Sequence, residues 1–361
     1  MKTTNMTSLL DQRLEDLEAR SQAIIEAASQ TIELPFQNEI WWPDLLTQYG
    51  TENAIFERLG IDKALFIEVY ALVKDVAGET RGRRSKIRTN REKLLFLMIY
   101  MSKGVGVLET LVHKLYKTRE HIHERAKAFA VLFKDNITQG TIRHFDEYHD
   151  AVPGASLVVD CTVCPIMRPK RSFKEAKVFF SGKHWFYALK KEVCVNIRSG
   201  TAAIVSPSFP GSVHDVVILR SHSDQINNVL QGRSLLADLG YHGTQHDVPT
   251  IIVCGAQDRA LRALRVQVEC FFGRLKSLWM IFSSTWALYE EEFDLFFDIA
   301  CGLTNVHILR HPLREVDAVF DKGVLNLIKA QQKSRIDAQK LANENYRRRR
   351  HDELDDGAHL N

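Results

Sequence analysis

Three acidic residues stand nearly alone in apolar surroundings: Asp160 in "ASLVVDCTV", Asp238 in "SLLADLGY" and Glu269 in "RVQVECFFGRLK". A charge in a buried strand is costly unless it is paired, so each acid needs an explanation. Brought together at one end of a sheet, the three would offer hard oxygen ligands suited to Mg²⁺ or Mn²⁺. Their mutual repulsion makes such a cluster unfavourable without cations. With two ions about 3.5 to 4 Å apart, one activates water or a 3′-hydroxyl while the other stabilises the leaving oxygen of a phosphodiester. That chemistry is nucleic-acid cleavage or strand transfer. A simpler reading of Glu269 stays open, as the partner of Arg265 in an i, i+4 surface ion pair worth a few tenths of a kcal/mol.

The elements that would position these residues can be read from periodicity. At about 100° per residue, Arg265, Glu269 and Lys276 share one face of a helix, while Leu261, Leu264, Val268, Phe272 and Leu275 form the neighbouring apolar face. Glu269 therefore belongs at a core margin. "ASLVVDCTV" reads as a core strand, "HWFYALKKEVCVNI" and "TAAIVSPSF" as a hairpin turning at "RSG", and "SLLADLGY" and "TIIVC" as further strands. "VVILRSHSDQINNVL" reads as one short helix and "YEEEFDLFFDIACGLTNVHIL" as a final amphipathic one.

The chain before Pro153 is helical in pattern. Asn90 is placed to cap "REKLLFLMIYMSKG", and "LFIEVYALVKDVAG" ends at a glycine. "GVLETLVHKLY" and "TREHIHERAKAFAVLF", with Thr118 as N-cap of the second, have the outline of a helix-turn-helix at about 105–135, although any helical hairpin shares that outline. Arg119, His121, His123, Arg125 and Lys127 would then lie on the recognition helix. The expected organisation is an all-α region over 1–150, an α/β domain over 151–320, and a polar, helix-prone, basic tail over 321–361. The tail's "RRRRHDELDD" suits either a nuclear localisation signal or simple solubility.

The blocks "VVDCT", "PGSVHD", "LLADLGY" and "VECFFGRLK", in this order over about 156–313, resemble those of the DDE superfamily, and more narrowly PIF/Harbinger-like and related insertion-sequence-type transposases. The resemblance implies an RNase H-like fold, a mixed sheet flanked by helices. It implies a metal-dependent nuclease or transposase with Asp160, Asp238 and Glu269 as catalytic, metal-binding triad and a divalent cation, two ions of Mg²⁺ or Mn²⁺, as cofactor. Asp215 in "GSVHD" also matches a family block, as an auxiliary ligand or a group behind the ligands. His214 beside it reads as a hydrogen bonder at a helix start, and Tyr241 as a packing residue. The sequence departs from the related insertion-sequence pattern at Arg262, where a tyrosine is expected. Arg265, Lys276 and Arg262 are then phosphate-binding candidates. The rival reading is a catalytically inactive DNA-binding or scaffold protein of transposase descent.

The net charge of the 361 residues is +3, so DNA binding must rest on local patches rather than the total. "RGRRSKIRTNR" (81–91), "RPKRSFKEAK" (168–177) and "YRRRRH" (346–351) are such patches, and Lys170 and Arg171 with Arg119 and Arg125 complete the expected DNA contacts. The expected partner is DNA, as transposon ends or target, with a homodimer and a separate DNA-binding protein as further candidates. The longest apolar run, "LLFLMIYM", is too short for a bilayer, and six scattered cysteines suit reduced thiols. Cys161 and Cys164 form a CxxC without a second pair at zinc-like spacing, so buried thiols are the stronger reading and a zinc site the weaker. The expected location is nuclear in a eukaryote, otherwise cytoplasmic.

Overall fold

The computed structural model describes residues 50–77, 87, 89–111, 118–142, 155–255, 259–286 and 290–313. The readings of 1–49, most of the 81–91 basic patch and the 321–361 tail lie outside these residues.

Before residue 155 the described elements are all helical: α1 (Glu52–Leu59), α2 (Lys63–Val73), α3 (Asn90–Lys103), α4 (Val105–Leu111) and α5 (Arg119–Ile142). Helix α3 is buried nearly all round, from Arg91 to Ser102, and is therefore a core helix rather than an amphipathic surface one. Its cap is Thr89 and not Asn90: the Thr89 hydroxyl accepts from the Glu92 N–H at 3.1 Å while the Glu92 carboxylate accepts from the Thr89 N–H. Asn90 turns its amide to the carbonyls of Val73, Lys74 and Val76 instead. Helix α2 accordingly stops at Val73, with Lys74 as C-cap, before the expected glycine. Thr118 does cap α5, accepting from the His121 N–H at 3.3 Å.

The α/β part contains β1 (Ala155–Pro165), α6 (Phe173–Lys177), β2 (Phe180–Ser181), β3 (Phe186–Asn196), β4 (Ala202–Val205), β5 (Phe209–Pro210), α7 (Asp215–Ser221), α8 (Ser223–Leu230), β6 (Ser234–Ala237), β7 (Ile251–Val253), α9 (Arg259–Leu278) and α10 (Glu290–Arg310). The sheet runs β2-β3-β1-β6-β7, with β4 and β5 also paired to β3. Strand β1 is antiparallel to β3 and parallel to β6, and β6 is parallel to β7, so this is a mixed sheet flanked by helices. The β3–β4 hairpin and the α10 helix stand where the residue pattern places them.

Strand alternation divides β1 and β3 between two cores. Val158, Cys164, Val193 and Val195 join the large core with α9, α10 and the N-terminal helices. Leu157, Val159 and Cys194 join a smaller one with Leu219, Ile226 and Leu230 of α7 and α8. Those two helices are separate because the chain breaks at His222, whose ring is buried and whose Nε2 lies 3.0 Å from Glu192 Oε1 on β3. A buried imidazole that must reach the sheet explains why one periodic stretch became two helices.

Helix α5 packs one face, including Ile122, Ala126, Phe129, Phe133 and Ile137, into the large core. His123 and Lys127 are turned inward from the same helix: His123 Nε2 is 2.5 Å from Glu292 Oε2 of α10, and Lys127 Nζ is 2.6 Å from Glu292 Oε1. His123 is buried and does not reach solvent as a base-reading side chain would, whereas Lys127 stays part-exposed, 40% at its side chain. Arg119 and Arg125 are exposed, and Arg119 pairs with Glu109 of α4 at 2.8 Å.

Candidate active site

Parallel pairing of Val158 with Leu236 places the end of β6 level with the middle of β1. Asp238, the residue after β6, is thereby set beside Asp160. The strand expected over "SLLADLGY" ends at Ala237 because Asp238 turns the chain: its carboxylate accepts from the Gly240 N–H at 2.8 Å and caps a short 3-10 turn, Leu239–Tyr241. A Cβ at Gly240 would come within 2.9 Å of Asp238 Oδ1 and 3.3 Å of Asp215 Oδ2. The glycine of "ADLGY" therefore lets the Asp238 and Asp215 carboxylates share one space.

From the other side, α9 supplies its charged face. Leu261, Leu264, Val268, Phe272 and Leu275 are buried, as their spacing requires, and this fixes the rotation of the helix. Arg265 does not pair with Glu269 on its own surface. Its Nη2 lies 3.5 Å from Asp160 Oδ2 and 3.9 Å from Asp238 Oδ2, so it spans the two strand acids. Its Nε is buried with no hydrogen-bond partner. Glu269 is exposed and lines the same cleft. Lys276 donates to the Val163 carbonyl at 2.8 Å, which ties α9 to β1.

The cleft has a volume of about 1020 Å³ and is lined by Asp160, Asp215, Asp238, Glu269, Arg265, Lys276, Lys190, Lys183 and His184 among others. Asp160 occupies its inner wall, with a side chain 24% exposed. Burial, reinforced by the Asp238 and Asp215 charges, pushes its carboxyl up to about 6, against the opposing pull of the Cys161 N–H and Arg265. The Cys161 N–H donates to Asp160 Oδ1 at 2.7 Å.

Asp215, at the start of α7, is held by Lys190, whose Nζ donates to its Oδ1 at 2.8 Å and to the Val213 carbonyl at 2.9 Å. Lys190 was not among the residues singled out from the sequence, where "LKKEV" reads only as two adjacent lysines. Alternation separates them. Lys191 faces α10, 2.8 Å from Asp294 and 3.3 Å from Asp298, while Lys190 faces the cleft. His214 precedes α7 and its carbonyl accepts from the Val217 N–H, but its side chain makes no capping hydrogen bond. That differs from the expected role: it is exposed and lines the cleft.

Behind the acids, Tyr241 is fully buried with its hydroxyl 3.4 Å from Cys161 Sγ, and Cys161 Sγ is 3.9 Å from Glu192 Oε2. Tyr241 packs, as expected, and also supports the strand that carries Asp160. All six cysteines are free thiols, and burial raises those of Cys161 and Cys164.

Of the remaining candidates, Arg262 is exposed on α9. Lys170 and Arg171 are exposed after β1, with Arg171 3.4 Å from Glu290 and stacked 5.6 Å from the Phe179 ring. None of the three lines the cleft.

Among the described residues, the sets of three metal-type donors that converge within 4.8 Å of one another are Asp62/His307/His311 and His123/Glu124/Glu292. Asp160, Asp238 and Glu269 stand further apart than that, with Arg265 between the first two. The first of the converging sets is already engaged: Arg274 Nη1 is 2.9 Å from His307 Nδ1, and burial with Arg274 holds that imidazole down to about 4. In the second set, His123 and Glu292 already hold each other and Lys127.

No helix among the described residues is long and apolar enough to cross a membrane. Residues 159–305 match the family model described as DDE superfamily endonuclease, a span that begins one residue before Asp160 and contains Asp215, Asp238 and Glu269. No curated protein and no solved structure matches the chain.

Proposed function

We propose, from the match of residues 159–305 to the DDE superfamily endonuclease family, that the protein is a DDE-type transposase or transposon-derived endonuclease that cuts DNA phosphodiester bonds with divalent metal, with strand transfer as a further step. The observation that carries the reading is the meeting of Asp160, Asp215, Asp238 and Glu269, from the middle of β1, the end of β6 and two helices, in one cleft edged by lysine and arginine. The RNase H-like assignment rests on the same mixed sheet, with Asp160 on its central strand β1 and Asp238 just after the neighbouring β6.

The donor set fits the implied metal. Four carboxylates suit a hard ion, although His184 and His214 lie elsewhere on the wall, and burial, reinforced by the Asp238 and Asp215 charges, pushes the inner Asp160 carboxyl up to about 6. Asp160, Asp238 and Glu269 would hold Mg²⁺ or Mn²⁺, with Asp215 as auxiliary ligand. Bound there, such ions lower the pKa of the attacking hydroxyl and offset the charge that develops on the phosphodiester.

The chain's own residues supply the rest. Lys190 keeps Asp215 aimed at the cleft. Arg265 neutralises Asp160 and Asp238 before substrate arrives, and can exchange those carboxylates for a substrate phosphate. Lys276 braces α9 against β1 and faces the same cleft, and Arg262, Lys170, Arg171, Arg119 and Arg125 extend the cationic contacts to DNA outside it. DNA, as transposon ends or target, is the substrate. A homodimer, a separate DNA-binding partner and a nuclear site of action in a eukaryote complete the proposal.

A second reading has one observation in its favour. Arg265 stands where a cation would neutralise Asp160 and Asp238, an arrangement that suits an inactive descendant which binds DNA as a scaffold. Labelled duplex DNA incubated with purified protein in Mg²⁺, Mn²⁺ or EDTA separates the two. The nuclease reading expects metal-dependent nicking by wild type and a loss of at least a hundredfold in Glu269→Gln. Equal inertness of both proteins, with retained DNA binding, would transfer the conclusion to the scaffold reading.

A further inference from the structure

Trp185 is the most exposed large apolar side chain among the described residues, at 81%. It sits in the turn between β2 and β3, and the residues on both sides of it, Lys183, His184 and Phe186, line the acidic cleft while Trp185 itself projects from the rim. Its backbone is left-handed, φ 62°, a conformation that a bulky residue rarely adopts and that glycine fills without strain.

The turn is held firmly. The Ser181 carbonyl accepts from both the His184 N–H at 3.2 Å and the Trp185 N–H at 2.8 Å. Below it the Phe180 and Tyr187 rings meet edge to face at 5.5 Å, and His184 and Phe186 lie 5.6 Å apart. Nothing in that scaffold requires an indole at the tip. The two other described tryptophans, Trp279 and Trp286, are almost fully buried.

A solvent-facing indole on a fixed turn, at the rim of a cleft whose wall also carries Lys183 and Lys190, is an arrangement that stacks on an unpaired base, because every base presents a π-face whatever its sequence. Within a matched duplex the base faces are covered by their neighbours, so a ring at the rim gains most from a nucleotide displaced from the stack. We propose that Trp185 is a stacking platform for a nucleobase displaced from the DNA beside the cleft. This deepens the DNA-cleaving reading and rests on it. Lys183 beside the indole supplies charge complementary to the adjoining phosphate.

The test measures binding, in EDTA, of the full-length protein to a fluorescently labelled matched duplex and to the same duplex with one central unpaired base. Wild type is expected to bind the bulged duplex about tenfold more tightly than the matched one. Trp185→Phe should keep most of that preference. Trp185→Gly, which suits the left-handed backbone and should melt no lower than wild type, should erase it. A wild type that binds both duplexes equally, or a Trp185→Gly variant that keeps the preference, overturns the stacking role and leaves the nuclease reading intact. If wild type binds neither duplex in EDTA and cuts neither with Mg²⁺ or Mn²⁺ present, the DNA reading fails and the stacking proposal falls with it.

Discussion

The cleft and the interior of the helical region each gather acidic and basic side chains, and they do so in opposite ways. Between α3, α5 and α10, the groups around Glu292 close on one another. His123 has Tyr100 2.8 Å from Nδ1 and Glu292 2.5 Å from Nε2, and Lys127 approaches the other Glu292 oxygen at 2.6 Å. One tautomer satisfies both rings, with the Tyr100 hydroxyl donating to Nδ1 and the Nε2–H donating to Glu292. In the cleft, four carboxylates face Arg265, Lys190 and open solvent, and Glu269 makes no hydrogen bond or ion pair at all among the described residues. A closed network holds a fold together, whereas a cluster with charge left over is prepared for something that comes from outside.

The largest expected effect lies in the closed network. Glu292→Ala removes the acceptor of both His123 and Lys127 and should destabilise the protein by about 3 kcal/mol or more, seen as an early urea midpoint. A loss below about 1 kcal/mol would mean that the network is looser than its distances imply.

Next in size is a pH effect in the cleft. The Asp160 carboxyl is raised from 3.8 to about 6 in the folded state, so the fold holds a proton there that the unfolded chain has released. Its stabilising contribution is full below pH about 4 and is lost as pH rises through about 6, a swing of roughly 2–3 kcal/mol. The difference in unfolding free energy between wild type and Asp160→Asn, followed from pH 4 to pH 7 without metal, should show that slope, with the variant gaining on wild type as pH rises. A flat difference would place Asp160 in an ordinary, well-compensated setting.

Arg265→Met should have the smallest effect. Without metal it removes the charge that lies between Asp160 and Asp238, and is expected to cost about 1 kcal/mol because the pairs are long, at 3.5 and 3.9 Å, and the Asp238 side chain is 38% exposed. Added Mn²⁺ should recover most of that loss in a thermal melt. If Mn²⁺ stabilises wild type and variant equally, the guanidinium and the ion do not occupy the same electrostatic role.

The same contrast explains what could be read from the residues alone. Asp160, Asp238 and Glu269 stood out because each is an acid against an apolar background, and the rotation of α9 followed from Leu261, Leu264, Val268, Phe272 and Leu275. Lys190 did not stand out, since a lysine in "LKKEV" looks the same whether it faces solvent or an aspartate 25 positions away. His123 looked like a DNA-reading residue on a helical hairpin because its partner, Glu292, is 169 positions further along the chain. Thr89 with Glu92 is a capping box whose local spacing does stand in the sequence, whereas the turn of Asn90 toward the carbonyls of Val73, Lys74 and Val76 and the split at His222 toward Glu192 do not. Apart from that cap, what escaped was a pairing decided by tertiary contact rather than by period.

The most direct test of the central claim, that the leftover charge in the cleft is a metal site, is Mn²⁺ titration of the purified protein followed by electron paramagnetic resonance. A metal site built on these acids gives saturable binding by wild type, lost in Asp160→Asn and in Asp238→Asn while both variants remain folded. Absence of saturable binding in wild type, or binding that survives in both variants, would contradict it.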